Sequence, residues 1–455
     1  MAKEESGKKQ PSAEQQKEEF KVTKKDLALI AVLVYLGWGL LNTDGNLVLV
    51  LSDLITKSLN MTVQQYSYVV SAGFFASFVL GLILGPLGDR LGRKFVLQLT
   101  LIGTAFFSML QYGMQNFIQW LLIRIGAGGF AGAEWGAGGT LLNEVAGKRI
   151  RGLLLSIMQS GWVFGYGLAS AIALLTVGAF GPSYGWRVAF LFAFLPALLV
   201  LILRAVRMRE SPRFEHLKAI REAKKRGDYE TVNRLLQIYK VDLEKAEKHP
   251  YKQLFNKDIL RVTVALTFFN FITTGIALTT NAFQPIYFTA VKGFSFSEVT
   301  LMFSVVAFAG IIGYIANGIV SDYIGAKWSI IIFAALETLG IYLLTFFVSA
   351  PNLVALWAFY ILFFFTENGQ FAGIIRANTE AFPTRIRATG AIWCGAFWSL
   401  GQAARPLLFA QLIPALTFNG AWLWAEVVPE IIALVIFAVI MPNIPPRREL
   451  EEIAY

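Results

Sequence analysis

The sequence predicts an all-α membrane protein, with twelve transmembrane helices in two six-helix pseudo-symmetric bundles, and three observations carry the prediction. Of 455 residues, 56% are hydrophobic and only 15% charged, against roughly 45–50% and 25% in a soluble domain. Apolar runs long enough for the roughly 20 residues of a bilayer crossing recur between short breaks. A spaced set of residues also repeats. Gly85, Asp89, Gly92 and Lys94 return as Gly318, Asp322, Gly325 and Lys327 at one constant interval, and Glu144 and Arg151 return as Glu380 and Arg387 at almost the same interval.

In chain order, residues 1–25 are rich in Lys and Glu without an apolar stretch and read as a disordered cytoplasmic tail. Six helices are expected near 27–56, 64–87, 95–114, 118–143, 153–178 and 187–207, making an N-terminal bundle over 26–207. Residues 208–258 are polar, with charges at helical spacing in Lys218 to Arg226 and Glu244 to Lys248, and read as a cytoplasmic helical linker. Six further helices, near 260–290, 297–320, 327–349, 352–378, 389–416 and 420–442, fill a C-terminal bundle over 259–442. Residues 443–455 are a second tail.

The net charge of +10 is concentrated in alternate connections, including Asp89 to Lys94, Lys148 to Arg151 and the stretch from Arg204 to Arg261. The other connections hold only Lys57, Arg187 and Lys292. The positive-inside rule therefore places both termini in the cytoplasm of a multi-pass plasma-membrane protein. Charge placed this way speaks against a nucleic-acid partner. The single cysteine, Cys394, excludes a disulfide framework and a cysteine metal site. His216 and His249 both fall in the polar linker. No Walker, Rossmann, zinc or nucleophile motif is present, so neither enzyme activity nor a cofactor is expected. Trp120, Trp186, Trp357, Trp422 and Trp424 fall near helix ends and read as interfacial anchors.

Ionisable groups at mid-membrane cost roughly 2.5–3.5 kcal/mol each and mark functional candidates. Five stand out: Asp44, Arg124, Glu134, Glu367 and Arg405. Helix rise puts Asp44 and Arg124 at similar depth, with Glu134 roughly 15 Å from Arg124 along the same helix and less than about a quarter turn around it. Glu134 is thus expected to face the cavity that Arg124 faces, or else to pin its helix to a neighbour. Glu367, Asn368 and Gln370 form a polar cluster on the tenth helix. Arg405 offers a guanidinium that can grip a carboxylate with two parallel hydrogen bonds. A salt bridge from Arg405 to Glu367 is the competing assignment.

The run from Gly85 to Lys94 resembles the GxxxDRxGRK signature between helices two and three of the major facilitator superfamily. Glu210-Ser-Pro-Arg-Phe214 is similar to a motif after helix six in its sugar, phosphate and organic-ion carriers. Gly132-Ala-Glu-Trp-Gly-Ala-Gly138, with Glu144, Arg151, Gln159 and Trp162 following, looks like a stretch of proton-linked metabolite and organic-acid symporters. The resemblance implies a cytoplasmic gate of Asp89, Arg90, Arg93, Lys94, Glu144 and Arg151, in which Arg93 partners Glu144. Its second copy is Asp322, Glu380 and Arg387, weakened because Tyr323 and Ala326 replace arginines.

The resemblance further implies that Asp44 and Arg124 form a proton switch: the ion pair stabilises the carboxylate, and protonation releases the arginine. Glu134 joins the proton-coupling set. Gln159, Asn270, Asn281, Glu367, Asn368, Gln370 and Arg405 are the expected substrate contacts. Arg405 sits a turn beyond the place where related organic-acid carriers have their arginine and this chain has Gln402. Glu337 and Glu430 fall on the ninth and twelfth helices, which are peripheral in that fold. The implied function is proton-coupled symport of a small organic acid anion or similar polar metabolite by alternating access. Alternatives are a sugar or phosphate proton symporter and a non-transporting nutrient sensor. The implied partners are substrate, protons and lipid, with the chain a monomer.

Overall fold

The computed structural model describes residues 22–146, 150–238, 250–382 and 387–443. Most of both predicted tails and His249 lie outside them. The first helix, α1 (Lys24–Val50), starts where Thr23 Oγ1 accepts a hydrogen bond from the Asp26 amide. A short α2 (Ser52–Ser58) continues it after Leu51. A capping box of Thr62 and Gln65 opens α3 (Val63–Leu91). Gly92, at φ 106°, then turns the chain into α4 (Arg93–Leu110), a backbone conformation that only glycine takes without strain.

The fourth predicted helix is two: α5 (Phe117–Ala131) and α6 (Glu134–Val145). The break falls at Gly132, which lies so close to α3 that a Cβ would come within 2.3 Å of the Ser77 carbonyl oxygen. Two long helices, α7 (Arg151–Phe180) and α8 (Gly185–Arg207), complete the N-terminal bundle. The linker carries α9 (Pro212–Lys225), α10 (Tyr229–Ile238) and a single turn, α11 (Pro250–Gln253). Ile220, Ala223, Val232 and Leu235 give α9 and α10 a small core of their own. His216 is buried there with Nε2 2.9 Å from the Leu235 carbonyl, and burial lowers its pKa from the usual value.

The second bundle contains α12 (Leu260–Ile286), α13 (Phe296–Ile324), α14 (Ala326–Phe347), α15 (Leu353–Glu380), α16 (Arg387–Trp422) and α17 (Val428–Ile440). Within α16 the backbone leaves helical geometry at Thr417, φ 61° and ψ 173°, and the chain reverses there. Ten described helices are long and apolar enough to span on their own, one of them the 52-residue stretch from Thr389 to Ile440. That stretch counts as two crossings and α5 with α6 as one more, which makes twelve among the described residues. Apolar side chains such as Phe308, Ile319 and Val435 face outward, where lipid rather than water suits them.

The sequence repeat has a packing counterpart. A Cβ on Gly165 would lie 2.5 Å from the Gly39 carbonyl oxygen, and one on Gly275 would lie 2.5 Å from that of Gly401. The first pair joins α1 to α7 and the second joins α12 to α16. Gly275 follows Gly39, and Gly401 follows Gly165, by the same interval that separates Glu144 from Glu380. Small residues let helices approach this closely in a membrane, where van der Waals packing replaces the hydrophobic drive.

Three of the predicted anchors are core residues instead. Trp120 and Trp186 are fully buried and Trp422 nearly so. A rim position along a helix does not fix which face the ring occupies, and these three face the bundle.

Candidate functional site

Between the bundles lies a cavity lined by residues of both, from Trp38 and Gln159 to Glu367 and Gln402. Its walls descend along α3 from Phe74 to Gly88 and along α6 as far as Thr140, toward the end of the molecule that carries α9 and α10. On the opposite side rings from both bundles close the path. The Tyr66 hydroxyl donates to the Ala282 carbonyl at 3.4 Å, and the Tyr166 and Tyr360 hydroxyls meet at 3.4 Å. Phe303 and Phe364 pack on Tyr166 with centroids 5.6 and 5.3 Å away.

The middle of the cavity is walled by aromatic and uncharged polar side chains, among them Trp38, Trp135, Trp162, Trp398, Asn42 and Gln159. Trp135 of α6 meets Trp398 of α16 across the bundles, ring centroids 5.9 Å apart. Its Nε1 donates to Gln159 Oε1 at 2.7 Å, and the Gln159 side chain also bonds to the Tyr314 hydroxyl. Glu367 and Asn281 line the cavity and bond to each other, Asn281 Nδ2 donating to Glu367 Oε1 at 2.7 Å. Gln402 also lines it.

Asp44 and Arg124 meet at 2.8 Å, both buried. Ser108 and the Gln111 side-chain amide, each at 2.6 Å, give Asp44 two more donors, and Trp120 Nε1 donates to Gln111 Oε1 at 3.1 Å. Gly45 and Asn46, the next residues of α1, line the cavity while Asp44 turns from it toward α4 and α5. The pair therefore stands directly behind the cavity wall.

Gly132 and Ala133 keep right-handed helical dihedrals, and Glu134 takes the second of its two expected roles, pinning its helix to neighbours. Glu134 accepts from Arg204 Nη2 at 2.5 Å and from Thr100 at 2.5 Å, fully buried among α1, α4 and α8. Arg204, counted in the sequence among the basic connection residues, is entirely enclosed. Its guanidinium also donates to the carbonyls of Leu33 and Leu97, and it fits only because residue 37 is glycine: a Cβ there would fall 1.7 Å from Arg204 Nη2.

Arg405 points away from the cavity, donating to the Ala425 carbonyl and lying 3.6 Å from Glu426 Oε2. It forms no bridge to Glu367. Glu426 belongs to the π-helical segment Leu423–Val427, which wraps back over α16. Gln370 bonds to Glu337, Asn368 donates to the Phe364 carbonyl, and Asn270 pairs with Asn378 at 3.0 and 2.9 Å. Gln370 and Asn270 thus tie helices together within the C-terminal bundle, while Asn368 bonds within α15. Glu337 and Glu430 are buried rather than peripheral, and Glu430 accepts from Thr273 Oγ1 at 3.0 Å.

Among the gate residues, Arg93 pairs with Glu144 at 3.0 Å. Glu210 caps α4, its carboxylate accepting from the amides of Arg93 and Lys94, both at 3.0 Å, where the helix dipole favours an anion. Ser211 also donates to Glu144, and Lys94 Nζ donates to the Ala205 carbonyl at 3.0 Å. In the other bundle Arg376 joins Asp322 at 2.5 Å to Glu380 at 3.0 Å. Sequence reasoning passed over Arg376, although its spacing of four from Glu380 in an apolar helix was a legible signal. The side chains of Asp89, Arg90, Arg151 and Arg387 lie outside the description.

Comparison with known proteins accords with this arrangement. The sequence profile of the major facilitator superfamily matches residues 27–316 and 263–453. The niacin transporter NiaP of Acinetobacter baylyi is 23% identical over 394 residues, covering 84% of this chain and 86% of that protein. The cis,cis-muconate transport protein of the same organism is 27% identical over 365 residues, covering 78% and 81%. The inward-open xylose transporter XylE of E. coli superposes with a TM-score of 0.73 at 17% identity, over 94% of this chain and 99% of that one. At that identity the likeness shows the fold alone.

Proposed function

The chain belongs to the major facilitator superfamily and is a multi-pass membrane transporter, not an enzyme, and from that premise we propose proton-coupled symport of a small organic acid or similar polar metabolite by alternating access. The observation that carries the coupling is the Asp44–Arg124 pair behind the cavity wall, with Ser108 and Gln111 completing the carboxylate's donors. A proton reaching Asp44 removes the charge that holds Arg124, and the freed guanidinium favours a different packing of α1 against α5. Gly45 and Asn46 transmit that change to the substrate space, since they follow Asp44 on the same helix and face the cavity.

The basic α9 end is the cytoplasmic end in this reading, so the conformation described is open inward. The bundles 26–207 and 259–442 rock about the central cavity, and the monomer is the working unit. Arg93, Glu144 and Glu210 on one side and Asp322, Arg376 and Glu380 on the other hold the helix ends that carry the inner gate. Niacin and muconate, the cargoes named for the relatives, are small and unsaturated, as an indole-lined cavity suits. Support for an acid is weaker than the sequence implied, because Arg405 is engaged by Glu426 and Gln402 occupies the cavity face.

The test is flux in proteoliposomes with an imposed pH gradient, across organic acids, amines, sugars and phosphate. Wild-type protein is expected to accumulate at least one of them when the outside is acidic. Asp44→Asn is expected to abolish that accumulation while solute exchange persists. Undiminished uphill uptake by Asp44→Asn sinks the coupling role of this pair.

A further inference from the structure

The part of the cavity wall contributed by α12 and α15 is rich in acceptors. Glu367 Oε1 takes its hydrogen bond from Asn281 Nδ2, while Oε2 has the Asn368 amide at 3.5 Å, the limit of a hydrogen bond. Asn281 Nδ2 also donates to the Ala277 carbonyl at 2.9 Å, which leaves Asn281 Oδ1 buried without a donor. Glu367 and Asn281 both line the cavity. A carboxylate oxygen and an amide oxygen thus border one space with acceptor capacity to spare.

The buried guanidiniums of the membrane core are committed elsewhere. Arg124 faces Asp44, Arg204 faces Glu134 and Arg405 faces Glu426, while Arg93 at the mouth pairs with Glu144. Around Glu367 the rings are continuous. Phe364 and Phe371 sit about one turn to either side on α15, and they carry Trp162 at 6.2 Å and Trp398 at 4.9 Å between centroids. Ring faces carry a negative quadrupole and attract cations, most strongly in tryptophan.

We propose that the cavity recognises its solute through a protonated nitrogen, an ammonium or ring N–H cation seated on Glu367 and Asn281 with its unsaturated body among the indoles. The inference rests on the transport reading of the same cavity and puts a cationic polar metabolite in place of the organic acid. An N–H cation rather than a quaternary one follows from the two acceptors, which a methylated nitrogen leaves unmet. A carboxylate placed in the same spot finds the described guanidiniums of the core already paired with acids of their own.

Two probes of one skeleton and opposite charge test this: 2-phenylethylamine and 3-phenylpropionate, titrated calorimetrically into the purified full-length protein. The amine is expected to bind at least about tenfold more tightly than the acid, and Glu367→Gln to weaken it by about tenfold, the scale of one charge-assisted hydrogen bond. Asn281→Ala is expected to weaken the amine a few-fold with an unchanged unfolding temperature, which separates lost recognition from lost fold. A preference for 3-phenylpropionate, binding of neither probe, or unaltered amine binding by both variants overturns the proposal. Proton-driven flux of the acid without amine binding refutes the cation site and leaves the symport reading standing. Amine binding without flux of any solute refutes the symport reading and leaves the site.

Discussion

In the N-terminal bundle two buried carboxylates and a third, half-buried one face guanidiniums: Asp44 meets Arg124, Glu134 meets Arg204 and the half-buried Glu144 meets Arg93. In the C-terminal bundle Glu337, Glu367 and Glu430 rest on Gln370, Asn281 and Thr273, and Glu426 has Arg405 only at 3.6 Å. Gln370 follows Glu134 by the interval that takes Glu144 to Glu380, so one position of the duplicated unit has an acid in one copy and an amide in the other. The difference teaches that copies of one plan can treat charge in hydrocarbon in two ways. Opposite charges fix geometry and leave a large penalty when one is lost. Amide and hydroxyl partners serve a protonated acid as readily as a charged one, and tolerate replacement.

The largest effect expected from this contrast is in the N-terminal bundle. Arg204→Ala leaves Glu134 enclosed with Thr100 as its remaining described partner and should cost about 3–5 kcal/mol. A steep fall in unfolding temperature and folded yield in detergent reads it, and wild-type stability in that variant would erase the contrast. An intermediate effect is expected at Glu210, which joins the linker to α4. Glu210→Ala removes the cap on two amides and should cost about 0.5–2 kcal/mol, seen as faster amide exchange at Arg93 and Lys94. The smallest effect is expected from Glu430→Gln, which keeps shape and a hydrogen bond to Thr273 and should cost about 1 kcal/mol or less. A loss matching that of Arg204→Ala would show both bundles to depend on buried charge alike.

Most of the fold was legible because lipid imposes it: apolar length, basic connections and repeated glycines each leave a mark on the chain. The spans were read to within a few residues, except where tertiary contact overrides propensity. The fourth span is interrupted at Gly132, which lies against Ser77 of α3. The same limit governs the site. The approach of Asp44 to Arg124 was readable from helix rise, because α1 and α5 are regular up to those residues. For Glu134 helix geometry left the cavity and a neighbouring helix both open, and its partner Arg204 decides for the neighbour. Arg204 was hidden by its basic neighbours Arg207 and Arg209, and its burial depends on the missing side chain of Gly37. Glu337 and Glu430 were set aside by position in the fold, although a peripheral helix still has an inner face.

The closure of the cavity opposite α9 has a consequence for how the protein cycles. The described contacts that seal it are ring against ring and hydroxyls at 3.4 Å, from Tyr66 to Ala282 and between Tyr166 and Tyr360. Separating such a seam severs no ion pair among the described residues, so the barrier to opening it is one of dispersion and solvation, insensitive to ionic strength. The described ion pairs at the α9 end, Arg93 with Glu144 and Arg376 with Asp322 and Glu380, each lie within one bundle. Opening the aromatic seam is therefore expected to proceed alike in dilute and in concentrated salt.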